Sequence, residues 1–204
     1  MSDEEKRSED QAIPWPQLGD VAFQEGAEWQ YCAWVTSGDN EWGLYGSAYK
    51  SAADVLAERV FQRGQPSSLL VYPIVFLYRH SLELSLKWLI VSGQQLLDHP
   101  LELKHVHRLD VLWGICRKIL EEIWPEGSKT DLDAVGECLK QFCIADPHSM
   151  SFRYPITKDG QPTPLSTQHI NIRNLYEVME RVANFLDCAG TGIKWYLDHK
   201  WYPH

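Results

Sequence analysis

Apolar residues recur at intervals of three and four along most of the chain, which is the period of an amphipathic α-helix. The pattern predicts five helices. The first follows a Ser47 cap and stops before Gly64, and the others cover about 69–92, 106–124, 131–145 and 168–189. The second is apolar on nearly all sides, which is typical of the most buried helix of a bundle.

Capping residues and helix breakers predict where these helices begin and end. Gly93 is expected to close the second helix and Pro125 to stop the third. Thr130 has the spacing of a capping residue at the start of the fourth. Gly190 and Gly192 are expected to interrupt the fifth before an aromatic tail. The predicted fold is therefore a single all-α, up-and-down bundle of about five helices.

Two segments depart from the helical pattern. Residues 1–17 are charged and then broken by prolines, so we expect a disordered or extended tail, followed by one domain over 18–204. Residues 18–46 fit a helix and a strand equally well, and we leave both open as an embellishment of the bundle. Residues 146–166 form a long, proline-rich connection, which we expect to be an ordered flap between the last two core helices.

The net charge and the lengths of the apolar runs indicate where the protein is located and which partners it can bind. The chain has 204 residues and a formal net charge of −9, which disfavours broad binding to nucleic-acid backbones but leaves room for a local basic pocket. No run reaches the roughly 18 apolar residues of a membrane span. The acidic N-terminal residues do not resemble a secretory signal. We therefore expect a cytoplasmic protein with no membrane partner.

Cysteines suggest neither disulfides nor metal. The five cysteines form no Cys-x-x-Cys pair, which favours buried thiols. Cys138, Cys143, His105 and His107 are the residues from which a zinc site could be built, but their spacing matches no standard ligand pattern. We expect no metal and no cofactor.

The second helix carries the most suggestive polar residues. Arg79, Glu83 and Lys87 are four residues apart, so they form a charged ladder along one face, and His80 adjoins it. One interpretation is a solvated face or an internal salt-bridge ladder that fixes helix packing. The other is a polar pocket between helices, where bundles build their binding sites.

Other basic and aromatic residues could complete such a pocket. His105 and His107 precede the third helix, and His148, Arg153 and Tyr154 lie in the flap. His169 and Arg173 stand near the start of the fifth helix. Together they would form a cationic pocket suited to a phosphate-bearing ligand or to a base stacked on an aromatic ring. Phosphate-loop, dinucleotide, serine-hydrolase and zinc-protease motifs are absent from the sequence.

The run Tyr72–Lys87 resembles the core helix of HEPN-like proteins, the higher-eukaryote and prokaryote nucleotide-binding superfamily. His80, Glu83 and Lys87 have the spacing often found there. The segment from His105 to Trp113 and the runs Phe152-Arg153-Tyr154-Pro155 and Asp159-Gly160 resemble an uncharacterised bacterial branch of that superfamily. The resemblance covers about residues 68–190.

The resemblance implies a helical bundle that commonly dimerises. Members include RNA-cleaving toxins and defence proteins, and also non-catalytic partners of nucleotidyltransferases. Its ribonucleases use an arginine followed, after four to six residues, by a histidine. None of the arginines here has that spacing, and Arg79 and His80 are adjacent instead. The usual nuclease site is therefore absent, and the sequence leaves catalysis open.

Two functional hypotheses follow. The first is a HEPN-like protein that binds RNA or a nucleotide, acts in defence or as a toxin–antitoxin component, and forms a homodimer. Its candidate catalytic residues are Arg79, His80, Glu83 and His107, and its candidate ligand-binding residues are Lys87, His105, His148, Arg153 and Tyr154. The second is a non-catalytic protein-interaction or dimerisation module, which nine tryptophans and the aromatic C-terminal tail favour.

Overall fold

The structure is a computed structural model, and its described residues are 15–23, 26, 28–36, 38, 41–63, 67–102, 106–147 and 149–201. The chain divides into two compact units, Met1–Ser37 and Gly38–His204. In the described residues the regular elements are helical, and the only β-type pairing is one isolated bridge. This confirms the predicted all-α bundle.

The second unit contains the five α-helices of the described chain. They are α1 (Trp42–Arg63), α2 (Ser67–Leu96), α3 (Leu109–Ile123), α4 (Lys129–Ala145) and α5 (Ile172–Trp201). Helix α2 packs against α1, α3 and α5, while α4 packs against α3 and α5. Helix α2 is thus the central element, as its all-round apolar pattern predicted.

The core lies around the middle of α2. Ile74, Leu86, Leu89 and Ile90 of this helix are fully or almost fully buried. The other helices contribute buried partners, among them Ala53, Leu112, Leu139, Met179, Leu186 and Ile193. The contributors recur at helical spacing, so the amphipathic pattern of the sequence is the direct cause of the packing.

Two predicted helix starts are wrong. Helix α1 begins at Trp42, so Ser47 lies inside it and does not cap it. Helix α4 is capped by Ser128, whose hydroxyl accepts a hydrogen bond from the Asp131 N–H at 3.2 Å, and Thr130 lies within the helix. Several serines and threonines near a helix start can satisfy a free N–H, so sequence alone does not choose among them.

The glycines predicted to end helices lie inside them instead. Helix α2 runs past Gly93, and α5 runs past Gly190 and Gly192. A Cβ atom at Gly93 would lie 2.3 Å from Cγ2 of Ile119, and one at Gly190 would lie 1.9 Å from the Trp88 ring. These glycines allow close approach of a neighbouring side chain, which is a different reason for glycine from helix termination.

The connection between α4 and α5 is held by its own hydrogen bonds. The Thr157 N–H donates to the Gln161 carbonyl at 2.7 Å, and the Thr163 N–H donates to Pro155 at 2.9 Å. These bonds surround a turn in which Gly160 has a φ of 73°. Phe152 is buried and belongs to the core, so the flap is anchored to the bundle by an apolar side chain.

The first unit has little regular structure in its described residues. A 3₁₀ turn covers Trp29–Tyr31, and Cys32 after it is extended. The described residues within 18–36 therefore form neither the strand nor the α-helix left open by the sequence, and the first described α-helix begins at Trp42. Residues 1–14, on which the prediction of a disordered or extended tail mainly rests, lie outside the described residues.

The described part of the chain has neither a membrane span nor a metal-binding cluster. None of its helices combines the length and apolar character that a membrane crossing requires. No group of three or more histidine, cysteine, aspartate or glutamate side chains there is arranged to hold a metal ion. Of the cysteines, Cys116 is buried but Cys32 and Cys188 are exposed, so the expectation of uniformly buried thiols is wrong.

Candidate functional site

Arg79 is the centre of a buried charged network, and its side chain is 1% exposed. Its Nη2 donates a 2.7 Å hydrogen bond to the His107 carbonyl, and its Nε donates a 3.3 Å bond to the Asp146 carbonyl. Its Nη1 lies 3.5 Å from Oε2 of Glu83. One guanidinium thus ties α2 to the segment before α3 and to the start of the flap.

Glu83 collects the other members of the network. Its Oε1 accepts a 2.8 Å hydrogen bond from Lys87 Nζ and lies 2.8 Å from His107 Nδ1. Burial raises the pKa of the Glu83 carboxyl, but the bonds from Lys87 and His107 outweigh burial, and the pKa falls below its ordinary value. Glu83 is therefore ionised at neutral pH, although its side chain is buried.

Asp146 completes the network at the base of the flap. It is fully buried, and its Oδ1 accepts the Met150 and Ser151 N–H groups at 2.8 and 3.0 Å. Its Oδ2 lies 3.8 Å from Arg79 Nε. Two cationic side chains, those of Arg79 and Lys87, face two carboxylates, so the interior is balanced in charge. Such pairing is what makes buried charges tolerable.

Burial divides the predicted catalytic residues by role. Arg79 and Glu83 are buried, so their side chains contact other residues of the chain and not solvent. The side chain of His107 is 72% exposed, although its Nδ1 faces Glu83. With Nδ1 occupied, Nε2 is the nitrogen open to solvent. A histidine oriented by a carboxylate in this way can accept or donate a proton.

A second group of side chains forms an aromatic and cationic row beside the network. We define this cation–aromatic row as Tyr49, His80, Phe76, Arg153 and Tyr154. The Tyr49 and His80 rings meet edge to face at 4.5 Å, and His80 is stacked with Phe76 at 5.7 Å. The Arg153 guanidinium lies 5.3 Å from the Phe76 ring and 5.2 Å from the Tyr154 ring. The row thus joins α1, α2 and the flap.

The charged side chains of the network act on the pKa of His80, which belongs to the row. Burial lowers the pKa of His80, and of the surrounding charges Glu83 raises it while Lys87, Arg79 and Arg153 lower it. The net result is a pKa below the ordinary value of histidine, so the ring is neutral at pH 7. The neutral His80 ring is packed against the rings of Phe76 and Tyr49.

The outer end of the row borders a cavity. Tyr154 and Arg153 line a cleft of about 410 Å³ together with Tyr72, Phe152, Pro155 and Thr163. Tyr154 is 45% exposed at this edge. The cleft therefore offers apolar ring faces and one guanidinium at the surface of the flap.

The predicted site residues fall into three groups. Arg79, Glu83, Lys87 and His107 meet in the buried network, and His80, Arg153 and Tyr154 meet in the row. His105 and His148 lie outside the described residues. Arg173, proposed as a pocket neighbour, instead lies 4.5 Å from the Phe61 ring.

Three participants, Tyr49, Phe76 and Trp42, had no role assigned from the sequence, and the contact between Asp146 and Arg79 was not predicted. Asp146 is separated from its partner Arg79 by 67 positions, and Tyr49 belongs to another helix from His80. Phe76 is four residues before His80 on α2, and that spacing was a usable signal. Trp42, 5.4 Å from Lys87 Nζ, lies at the start of α1, where no helix start was predicted.

Comparison with known proteins returns no matching family model, no matching curated protein and no matching solved structure. The HEPN-like resemblance therefore stays a prediction from the sequence.

Proposed function

We propose that this chain is a HEPN-like helical protein that binds RNA or a nucleotide at the cation–aromatic row, as a cytoplasmic defence or toxin–antitoxin component. The observation that supports the proposal is the Arg153 guanidinium, which lies over the rings of both Phe76 and Tyr154. A guanidinium pairs with phosphate in a fork geometry, and exposed rings stack on bases. This combination suits a nucleotide on a protein that is acidic as a whole.

The buried network has a supporting part in the proposal. Asp146 begins the flap that carries Arg153, and Arg79 holds the carbonyl of Asp146. The network thus fixes the position of the start of the flap relative to α2. Where a ribose or phosphate lies near His107, the exposed Nε2 of this histidine is the group suited to proton transfer.

Binding of labelled single-stranded RNA and of a labelled nucleotide, followed by fluorescence anisotropy with and without divalent metal, tests the proposal. Tyr154→Ala removes a stacking face, so we expect roughly a 10-fold loss of affinity. Arg153→Ala should weaken binding and reduce its salt dependence. The matched control is Arg181→Ala, which removes an exposed arginine of α5 far from these contacts in the sequence.

Equal affinities for the Arg153→Ala and Arg181→Ala proteins would refute binding at the row. Gel analysis of the same RNA samples separates cleavage from binding. Cleavage that persists in a His107→Ala variant of unchanged fold would remove His107 from the chemistry.

A homodimeric interaction module is the second candidate. Trp195 and Tyr196 are 54% and 40% exposed on the last turns of α5. Because Ile193 beside them is fully buried, a point variant tests this surface without removing a core residue. Sedimentation equilibrium of Trp195→Ala should show weaker self-association if this surface is a dimer interface.

A further inference from the structure

The segment 15–36, which we call the aromatic segment, exposes large apolar side chains in its described residues. Phe23 and Trp34 are each 98% exposed, and Trp29 is 81% exposed. The other exposed members are Trp15, Leu18, Val21, Tyr31 and Val35. Single exposed apolar residues are ordinary, but so many within one short stretch are typical of an interaction surface.

Local hydrogen bonds give the aromatic segment a defined shape. The Tyr31 N–H donates to Glu28 and the Cys32 N–H to Trp29, at 2.9 and 3.0 Å, which closes the 3₁₀ turn. The Cys32 thiol donates to the Gly26 and Glu28 carbonyls at 3.6 and 3.7 Å. The turn fixes Trp29 in advance of binding, and preorganisation lowers the entropy that binding costs.

Charge indicates the kind of surface that the aromatic segment fits. Within residues 1–37 only Lys6 and Arg7 are basic, whereas the acidic residues are Asp3, Glu4, Glu5, Glu9, Asp10, Asp20, Glu25 and Glu28. This unit therefore carries a net charge of −6 out of the −9 of the whole chain. Anionic lipid and nucleic acid would repel it. The remaining residues have a net charge of −3, so a second copy of the chain offers this unit no net positive charge.

We propose that the aromatic segment is a docking segment for a different protein, whose surface offers an apolar groove rimmed by lysine and arginine. Trp29 and Trp34 are the anchors, because tryptophans dominate the affinity of interfaces in which they become buried. The net negative charge of this unit steers association toward a basic rim. This interaction is separate from nucleotide binding at the cation–aromatic row.

Site-specific photo-crosslinking in the cells from which the protein comes tests this proposal. A benzoylphenylalanine replaces Trp34 in the full chain, and the control chain carries it at Leu69, which is 71% exposed on α2. Mass spectrometry of the adduct identifies both the partner and the residue that is crosslinked. The expected result is a Trp34-specific adduct with one other protein, at an apolar groove flanked by lysine or arginine.

The purified partner is then titrated calorimetrically with the full chain. Trp29→Ala and Trp34→Ala should each weaken binding by roughly 30-fold, the cost of truncating a central tryptophan. Leu69→Ala should leave the affinity within about 2-fold. Asp20→Asn with Glu28→Gln should slow association, and raised salt should slow association of the unaltered chain.

Three outcomes would overturn the proposal. One is an adduct with a second copy of the chain, and another is an adduct with RNA or lipid alone. The third is the same adduct yield from Trp34 and Leu69. Folding of each variant is checked by circular dichroism, and RNA binding by the Trp34→Ala protein should stay unchanged, which keeps this proposal distinct from the function of the row.

Discussion

Oε1 of Glu83 lies 2.8 Å from Nδ1 of His107, and the two side chains are 3% and 72% exposed. A buried carboxylate therefore holds an exposed imidazole in a fixed orientation. Because the Glu83 pKa is lowered by Lys87 and His107 against the effect of burial, its charge is kept at neutral pH. Because Glu83 is itself fixed by the buried network, it orients the His107 ring at the surface.

Substitution of Glu83 tests how much stability the buried network contributes. Glu83→Gln leaves the cations of Arg79 and Lys87 buried without their shared carboxylate. We expect a loss of about 3–5 kcal/mol in the free energy of unfolding, since an uncompensated buried charge is strongly destabilising. Urea unfolding followed by far-ultraviolet circular dichroism measures this loss.

The matched control uses the same chemical change in an exposed ion pair. Glu137 pairs with Lys140 at 3.5 Å, and the side chains are 70% and 64% exposed. Glu137→Gln should change the unfolding free energy by no more than about 0.5 kcal/mol. Similar losses for the two variants would show that the network around Glu83 is no stronger than a surface contact.

Two glycine-to-alanine variants should change stability in opposite directions. At Gly190 a Cβ would lie 1.9 Å from the Trp88 ring, so Gly190→Ala forces the ring or the helix to move and should cost about 1–3 kcal/mol. At Gly114, inside α3, no atom lies within 4 Å of that position apart from the adjoining residues and the backbone of the same helix. Gly114→Ala should stabilise by up to about 1 kcal/mol through helix propensity. Thermal unfolding gives both signs, and a stable Gly190→Ala protein would contradict the close packing.

The helices were predictable because each has an amphipathic stripe, but their ends were not. Gly93 and Gly190 carry the local signal of a helix stop, yet both lie in helices against Ile119 and Trp88. Only the neighbouring helix reveals that a small residue is needed there. Tertiary packing thus outweighs the unfavourable intrinsic propensity of glycine.

The candidate site was predictable only as far as one helix carries it. The spacing of Arg79, Glu83 and Lys87 predicted a ladder, and both of its ion pairs are present. Asp146 joins this ladder from 67 positions away, and no local pattern encodes that contact. Sequence also left open whether the ladder is solvated or internal, which depends on the neighbouring helices and the flap.

The start of α4 provides a direct test of a corrected helix cap. The Ser128 hydroxyl accepts the Asp131 N–H, whereas Thr130 lies in the first turn. Ser128→Ala should lower the unfolding free energy by about 1 kcal/mol because that N–H loses its partner. Thr130→Ala should lower it by much less, and the reverse order would restore Thr130 as the cap. Guanidinium unfolding of both variants measures the difference.

The lowered pKa of His80 predicts a specific dependence of stability on pH. Burial is the largest cause, followed by Glu83, which opposes it, and by the cations that favour the neutral ring. Below about pH 6.5 the unfolded chain gains a proton that folded His80 resists, so stability falls as the pH drops toward the folded pKa. His80→Gln should flatten this fall, by at most about 1.4 kcal/mol for each pH unit in that window. The exposed His169→Gln is the control. Urea unfolding between pH 5 and 8, roughly the range in which histidine titrates, gives the free energy of unfolding as a function of pH. The curves of the control and of the unaltered chain should be parallel. If the curve of His80→Gln is parallel to them as well, His80 stays readily protonated in the fold.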